Sequence, residues 1–400
     1  MKIVKYIKEH GVKETASILY RFKIKQIERK IADFITKDAP LANTIVIESH
    51  NDFDENGGAF YNYLIKHNYN KNYKIVWLLK HRKPETLPEN VYAFPLWGPS
   101  FKRELIIAKA KYILTDQDCI GSSKNGQISG YLTHGGFGLK NCRDQMNLPK
   151  NLTFTLISSD NVDELERYNY NIENTSVRSV ILGFPEDDTL YTPSDNEILK
   201  VTAKKFSKVF LWMPTFRKGS RGRIDSSKEE KLGIPIFKSL EEFYKLNDFL
   251  TKKNALLIIK IHPMQDMSTV KIHTLSNIII LDGDSVKKKN IDNYRLMKDS
   301  DALISDYSSA AYDYMHLNRP VGFTMDDVNE YKLGLIVDNP EKFIGGPIIN
   351  NKNDFLEFLS DTLEGKDTYK EKRNQVFDIV FKYHDGKSCE RLANFLKLKK

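Results

Sequence analysis

The strongest constraint on how this chain can fold is a recurring unit: a short apolar run, a polar or glycine-rich turn, then a stretch of helical period. Residues 303–323 carry it in full. Ala302, Leu303 and Ile304 make the apolar run, and Ser305-Asp306-Tyr307-Ser308-Ser309 breaks it. Residues 310–317 read as a helix, Arg319-Pro320 stops it, and Val321-Gly322-Phe323 returns to strand. Strands alternating with helices imply parallel α/β layers. A helix N-terminus leaves N–H groups unpaired and carries partial positive charge. The hydroxyl cluster at 305–309 therefore reads either as helix caps or as an anion site at the carboxyl edge of a sheet.

The unit recurs along the chain. Strands are expected at 44–48, 74–79, 112–115, 127–133, 154–157 and 179–182, then at 209–213, 255–261, 277–281, 302–304, 321–323 and 335–337. Helices are expected at 58–67, 100–110, 197–206, 240–251, 293–298, 310–317, 354–359, 369–379 and 386–398. The polar stretch 185–196 reads as a linker, and the basic stretch 218–231 as a loop. A chain of 400 residues exceeds one ordinary core. The expected units are a helical segment at 1–40, an α/β domain at 41–190, a second at 191–385 and a terminal helix at 386–400.

Hydrophobic residues at 40% and aromatic residues at 11% exclude a disordered chain. A net charge of +8 points to an anionic partner. Ten Lys and Arg residues lie within residues 1–37, against four acids. Ile3, Ile7, Ile18, Phe22, Ile27, Ile31 and Phe34 recur there at helical spacing, and Gly11 is expected to break the segment into two helices. Such a segment lies on anionic lipid or packs its apolar face on the domain. Cys119, Cys142 and Cys389 are far apart, which supports neither a zinc site nor a disulfide framework and fits the cytoplasm. No apolar run approaches the roughly 18 residues that span a bilayer. The cations are spread without a recognition motif, which argues against nucleic acid.

Chemistry-bearing residues gather at expected strand ends. His134-Gly135-Gly136-Phe137-Gly138-Leu139-Lys140 follows one strand; it reads as a general base beside a turn that admits a ligand, or as a tight turn with a structural His. Its spacing matches neither GxGxxG nor the P-loop. Lys260-Ile261-His262-Pro263 ends another strand, with Lys260 and His262 on one side. Pro214-Thr215-Phe216-Arg217 offers a guanidinium fork for phosphate. Asp116/Asp118 and Asp282/Asp284 are weak candidates for a divalent cation, and no metal is expected. Elements of this kind in two facing α/β halves describe the GT-B architecture, two Rossmann-like domains facing a cleft.

The ordered set of motifs resembles the CDP-glycerol glycerophosphotransferase family, the teichoic acid primases and polymerases. The resemblance rests on Glu48-Ser49 with Asn56-Gly57; His134-Gly135 with Leu139-Lys140; Gly183-Phe184-Pro185; Pro214 to Arg217; Lys260 to Pro263; Ser305 to Ser309 with Tyr312-Asp313-Tyr314; Arg319-Pro320; and Tyr383-His384-Asp385-Gly386-Lys387-Ser388. It implies transfer of a polyol phosphate, glycerol phosphate first, from a CDP-activated donor to a hydroxyl of a lipid-linked or glycan acceptor. CMP is released, at the inner face of the cell membrane and without a cofactor. It makes 41–190 the acceptor domain and 191–385 the donor domain, with His134 as base and His262 as the second catalytic residue. Gly135, Gly136, Lys140, Thr215, Arg217, Lys260, Ser305, Asp306, Ser308, Ser309 and Asp313 are the implied donor-binding residues, Asp313 toward the ribose. The family commonly reads His-Gly-Thr-Pro-Leu-Lys where this chain has His-Gly-Gly-Phe-Gly-Leu-Lys, so Gly136-Phe137-Gly138 is expected to govern the alcohol. The alternatives are a GT-B enzyme acting on a nucleotide-sugar and a non-catalytic membrane- or polymer-binding protein of the same fold.

Overall fold

The computed structural model describes every residue except Met1, Arg82 and Arg221; the side chains of residues 2–10 and of Arg21 are also outside the description. Two wholly parallel sheets form the chain. The first contains β1 (Ala42–Glu48), β2 (Lys74–Leu79), β3 (Val91–Pro95), β4 (Ala110–Thr115), β5 (Ile128–Tyr131), β6 (Phe154–Leu156) and β7 (Arg178–Val180), in the spatial order β3-β2-β1-β4-β5-β6-β7. The second contains β8 (Lys208–Trp212), β9 (Ala255–Lys260), β10 (Ile278–Leu281), β11 (Ala302–Ser305), β12 (Val321–Thr324) and β13 (Ile348–Ile349), in the order β10-β9-β8-β11-β12-β13. Both are doubly wound, with the order reversing beside β1 and β8. Parallel strands buried on both faces read as continuous apolar runs; β9, Ala-Leu-Leu-Ile-Ile-Lys, is buried throughout. This is the expected GT-B-like pair of Rossmann-like domains.

Two expected elements differ. Residues 197–206 give only a short 3-10 turn, Glu197–Lys200, before the chain extends toward β8. The adjacent β-branched Val201 and Thr202 disfavour helix, and the Thr202 hydroxyl accepts the Lys204 N–H instead. Residues 335–337 add no strand to the second sheet. They cross to the first half, where Ile336 N–H donates to Leu139 O and Asn141 N–H to Gly334 O. The terminal helix Ser388–Phe395 packs on the first half. Asp188 accepts the Ser388 and Cys389 N–H groups at 2.8 and 2.9 Å, and Tyr112 donates to Leu396 O. The chain thus crosses between halves twice, first through the 3-10 segment Pro185–Tyr191.

The helix Lys2–Ile35 is interrupted at Gly11, whose φ of 79° departs from helical geometry. The expectations for Ile3, Ile7, Lys2, Lys5, Lys8 and Arg21 lie outside the described side chains. From Val12 onward the packing inverts the usual amphipathic arrangement. The face turned to the domain is largely polar: Lys25 donates to Leu96 O, Glu28 accepts from Ser100 N–H, and Arg29 reaches Ser123. Phe22 adds a contact with Trp97, ring centroids 5.3 Å apart. The outward face carries Val12, Leu19, Tyr20, Ile27, Ile31 and Phe34, from 42% to 80% exposed.

Candidate active site

The site forms where the carboxyl ends of the two sheets meet, beside both switch points. In the first half, buried Glu48 at the end of β1 gathers the neighbouring strand ends. Its carboxylate accepts the N–H groups of Asp116, Gln117 and Asp118 at 3.0–3.2 Å and pairs with Lys80 at 2.6 Å. Asp118 pairs with the same lysine, while Asp116 accepts Gly57 N–H at 2.7 Å. Asp282 caps the helix Gly283–Lys288. Asp116, Asp118 and Asp282 are thus committed to bonds within the fold.

Between β1 and the helix Glu55–Lys66, Asp52, Phe53 and Glu55 adopt positive φ of 68°, 59° and 52°. Such backbone costs of order 1 kcal/mol or more per residue and is held by its surroundings. Here the Asp52 carboxylate accepts Lys80 and His81 N–H, and the tight path delivers Glu55 to His134. His134 Nδ1 donates to Glu55 Oε2, so the neutral ring presents Nε2 as an acceptor. The His50 ring lies beside it at a 37° tilt, centroids 4.6 Å apart, tethered through Nδ1 to Gln117. The Glu55 charge raises the His134 pKa, and the ring keeps 46% of its surface exposed. Burial opposes ionisation of Glu55, but His134, His50 and Lys80 outweigh it and hold that carboxyl below its ordinary value.

The second half supplies cations and donors. Lys260, at the end of β9, is 7% exposed and makes no hydrogen bond or ion pair among the described residues. Burial pushes its pKa down to about 8. His262 Nδ1 accepts Met264 N–H at 3.0 Å, so the neutral ring carries its proton on Nε2. Burial first, then Lys260, Lys140, His134 and His50, push its pKa down to about 3. His262 is therefore a neutral hydrogen-bond donor at ordinary pH, while His134 is a base.

The glycine loop closes the seam. A side chain at Gly135, φ +85°, would place Cβ 2.3 Å from Ser309 Oγ, and one at Gly136 would meet Asp313 Oδ1 at 2.9 Å. Phe137 is 1% exposed and sets its edge on Tyr312 at 5.0 Å, with Phe343 at 5.2 Å. Its side chain anchors one half to the other. Lys140 N–H donates to Tyr307 O, and burial lowers the pKa of its ammonium.

His134, Gly135, Gly136, Lys140, Lys260, His262 and half-buried Ser309 thus surround one seam. Other expected donor-binding residues sit behind it. Arg217, 1% exposed, grips Asp327 through Nε and Nη2 and gives Nη1 to Asp306 and Thr215 O. The phosphate fork expected of Arg217 is corrected: its donors are taken by buried acids. Asp306 also accepts Thr215 N–H and Oγ1–H, and Ser305 donates to Met213 O, so Thr215, Ser305 and Asp306 brace strand ends rather than face a ligand. Ser308 caps the helix Ser309–Asp313. Asp313 is buried under Gly136 with Tyr294 on one oxygen at 2.7 Å, which corrects its expected reach to a ribose. Glu55 and His50 were not singled out by motif; their one signal is position, just beyond an apolar run.

Two measurements check this geometry. In Glu55→Gln the His134 ring loses its counter-charge and titrates at lower pH, as read by NMR of its Cε1 proton; an unchanged or higher midpoint contradicts the pairing. Arg217→Ala strands Asp306 and Asp327 as buried acids and lowers unfolding stability by about 3–5 kcal/mol, measured in urea; a loss within the range of a surface change contradicts the network.

Known proteins resemble this chain in sequence and fold. The chain is 26% identical over 365 residues to the teichoic acid ribitol-phosphate polymerase TarL of Staphylococcus aureus (strain NCTC 8325 / PS 47), covering 84% of this chain and 58% of that protein. It is 25% identical over 250 residues to the teichoic acid glycerol-phosphate primase of Bacillus subtilis (strain 168), covering 61% and 57%. The chain thus spans less than two thirds of the length of either relative. The solved structure of the wall teichoic acid polymerase TagF superposes with a TM-score of 0.70 at 18% identity, covering 96% of each chain, which shows the shared fold. The sequence model of the CDP-Glycerol:Poly(glycerophosphate) glycerophosphotransferase family matches residues 34–398, and the chain belongs to that family.

Proposed function

We propose that this chain transfers a polyol phosphate from a CDP-activated alcohol to a hydroxyl of a lipid-linked or glycan acceptor, releasing CMP, in the synthesis of a teichoic acid or capsule-type polymer. One observation carries the reading: the His134–Glu55 base pair opposes buried, unpartnered Lys260 and the neutral donor His262 across one seam. The acceptor hydroxyl gives its proton to His134 Nε2 as its oxygen bonds to the β-phosphorus. The bond from that phosphorus to the bridging oxygen breaks, and CMP leaves with the electron pair. Lys260, His262 Nε2–H and the Ser309 region meet the charge on the phosphoryl oxygens and the leaving group. Transfers of this kind depend mainly on positioning and electrostatics, and in this reading protein groups rather than a metal supply them. The names of the relatives support both ribitol phosphate and glycerol phosphate as the transferred group, with glycerol phosphate taken first from the family. A panel of CDP-glycerol, CDP-ribitol and UDP-sugars, read as nucleotide release with an acceptor present, tests the class: release of CMP is expected, and release of UDP alone overturns it. His134→Ala loses CMP release by about a hundredfold or more while CDP affinity stays as in the wild type; intact turnover removes His134 from the chemistry.

The inverted N-terminal helix supports a peripheral place on the inner face of the membrane. No helix among the described residues is long and apolar enough to cross a membrane. An outward stripe of Val12, Tyr20, Ile27, Ile31 and Phe34, accompanied by Lys13, Lys23 and Lys30, has the makeup of a helix lying in an anionic interface. Ile27→Glu with Phe34→Glu cuts sedimentation with phosphatidylglycerol vesicles by about tenfold or more at an unchanged unfolding midpoint; undiminished sedimentation removes the stripe from membrane binding.

A further inference from the structure

Phe216, just beyond β8, lies among three nitrogen-bearing side chains. Its ring packs against His262 with centroids 4.9 Å apart. Lys140 Nζ stands 5.3 Å, and the Arg223 guanidinium 4.9 Å, from the ring centre. Lys140 belongs to the first half and the others to the second. One carboxylate sits between the two cations. Asp225, 2% exposed, receives Arg223 Nε and Nη2 at 2.5 and 2.6 Å and lies 3.6 Å from Lys140 Nζ. Its backbone is fixed on both sides, the N–H donating to Arg217 O and the carbonyl accepting Lys332 N–H.

We propose that Asp225 is an internal stand-in for a donor phosphate: Lys140 and Arg223 are diphosphate ligands, and Asp225 holds them until a nucleoside diphosphate takes its place. The proposal rests on the donor reading above and names two residues, Arg223 and Asp225, for the same cleft. Two partly buried cations without a counter-charge would be costly, and a resident carboxylate offsets that cost while the cleft is empty. The fit is deliberately incomplete in its geometry. At 3.6 Å the Lys140 contact is an ion pair beyond ordinary hydrogen-bond length, and Arg223 Nη1 makes no bond among the described residues. A diphosphate brings more charge and more acceptors than one carboxylate, so exchange favours it. A nucleoside monophosphate displaces Asp225 less well, which favours departure of the product once the phosphoryl group has moved. Because Lys140 comes from the opposite half, the exchange takes place at the seam where the base also lies.

Calorimetric titration of CDP, CMP and cytidine into the full chain tests this. Asp225→Asn removes the competing charge and binds CDP about tenfold tighter, the gain expected if Asp225 holds the site nine-tenths of the time, with cytidine unchanged. Arg223→Ala binds CDP about tenfold more weakly, again with cytidine unchanged. Equal or weaker CDP binding by Asp225→Asn at a wild-type unfolding midpoint overturns the proposal. So does a gain shared equally by cytidine, or a lowered midpoint with CDP and cytidine both lost, which would make Asp225 a structural counter-ion. If the wild type binds neither CDP nor cytidine, the donor reading itself fails.

Discussion

The close approach of residues 135–141 to the start of the helix Ser309–Asp313 is the contact on which the site depends. Each sheet alone offers an open carboxyl edge with polar strand ends. Only their apposition turns two edges into a cleft. The approach is possible because Gly135 has no side chain where Ser309 Oγ stands, and it is held by Phe137 wedged on Tyr312 and Phe343. An aromatic plug of this size contributes on the order of 1.5–3 kcal/mol by burial alone. The backbone bonds from Ile336 to Leu139 and from Asn141 to Gly334 add direction to a contact that burial alone would leave free to slide. Phe137, in this chain's glycine loop, thus serves the joint between halves.

Within the seam, one residue type takes two opposite roles because its surroundings differ. His134 has a carboxylate on Nδ1, which stabilises the charged ring and leaves Nε2 to accept a proton. His262 has a backbone N–H on Nδ1, which leaves Nε2 as the donor, and burial, then the cations around it, hold it neutral. Environments that push titratable groups apart are the usual sign of divided acid–base labour. The separation does not rest on titration alone, because the hydrogen bonds fix the tautomers independently.

The sheets were legible because parallel strands buried on both faces appear as unbroken apolar runs. The two strands without such a run, β3 and β13, are edge strands, one ending in Pro95 and the other only two residues long. Strand-end motifs brought His134, Lys140, Lys260 and His262 to one place, since the doubly wound order sends those ends to one edge. What sequence spacing could not show is which polar groups answer each other. Arg217 reads as a free fork until Asp327, which lies 110 residues away, is found filling it. Glu55 is one polar residue between an expected strand and an expected helix until three left-handed residues turn it onto His134. Pairings at that sequence distance leave no local pattern.

The same limit explains the N-terminal helix. Its apolar period was plain, and packing that face on the domain would have been the ordinary outcome. Instead Lys25, Glu28 and Arg29 meet backbone and side-chain partners on the first half, and this leaves the apolar stripe facing away. Burying that stripe on the domain would have been favoured by roughly 25 cal/mol per Å², and the proposed function gives it a second apolar phase instead. In the proposed reading that phase is the bilayer, and its place follows from the fold. The helix docks on the half that carries His134, so the half that meets the lipid is also the half that would activate the lipid-linked hydroxyl. In the same reading the half with Lys260 and His262, which faces it across the seam, receives the soluble nucleotide.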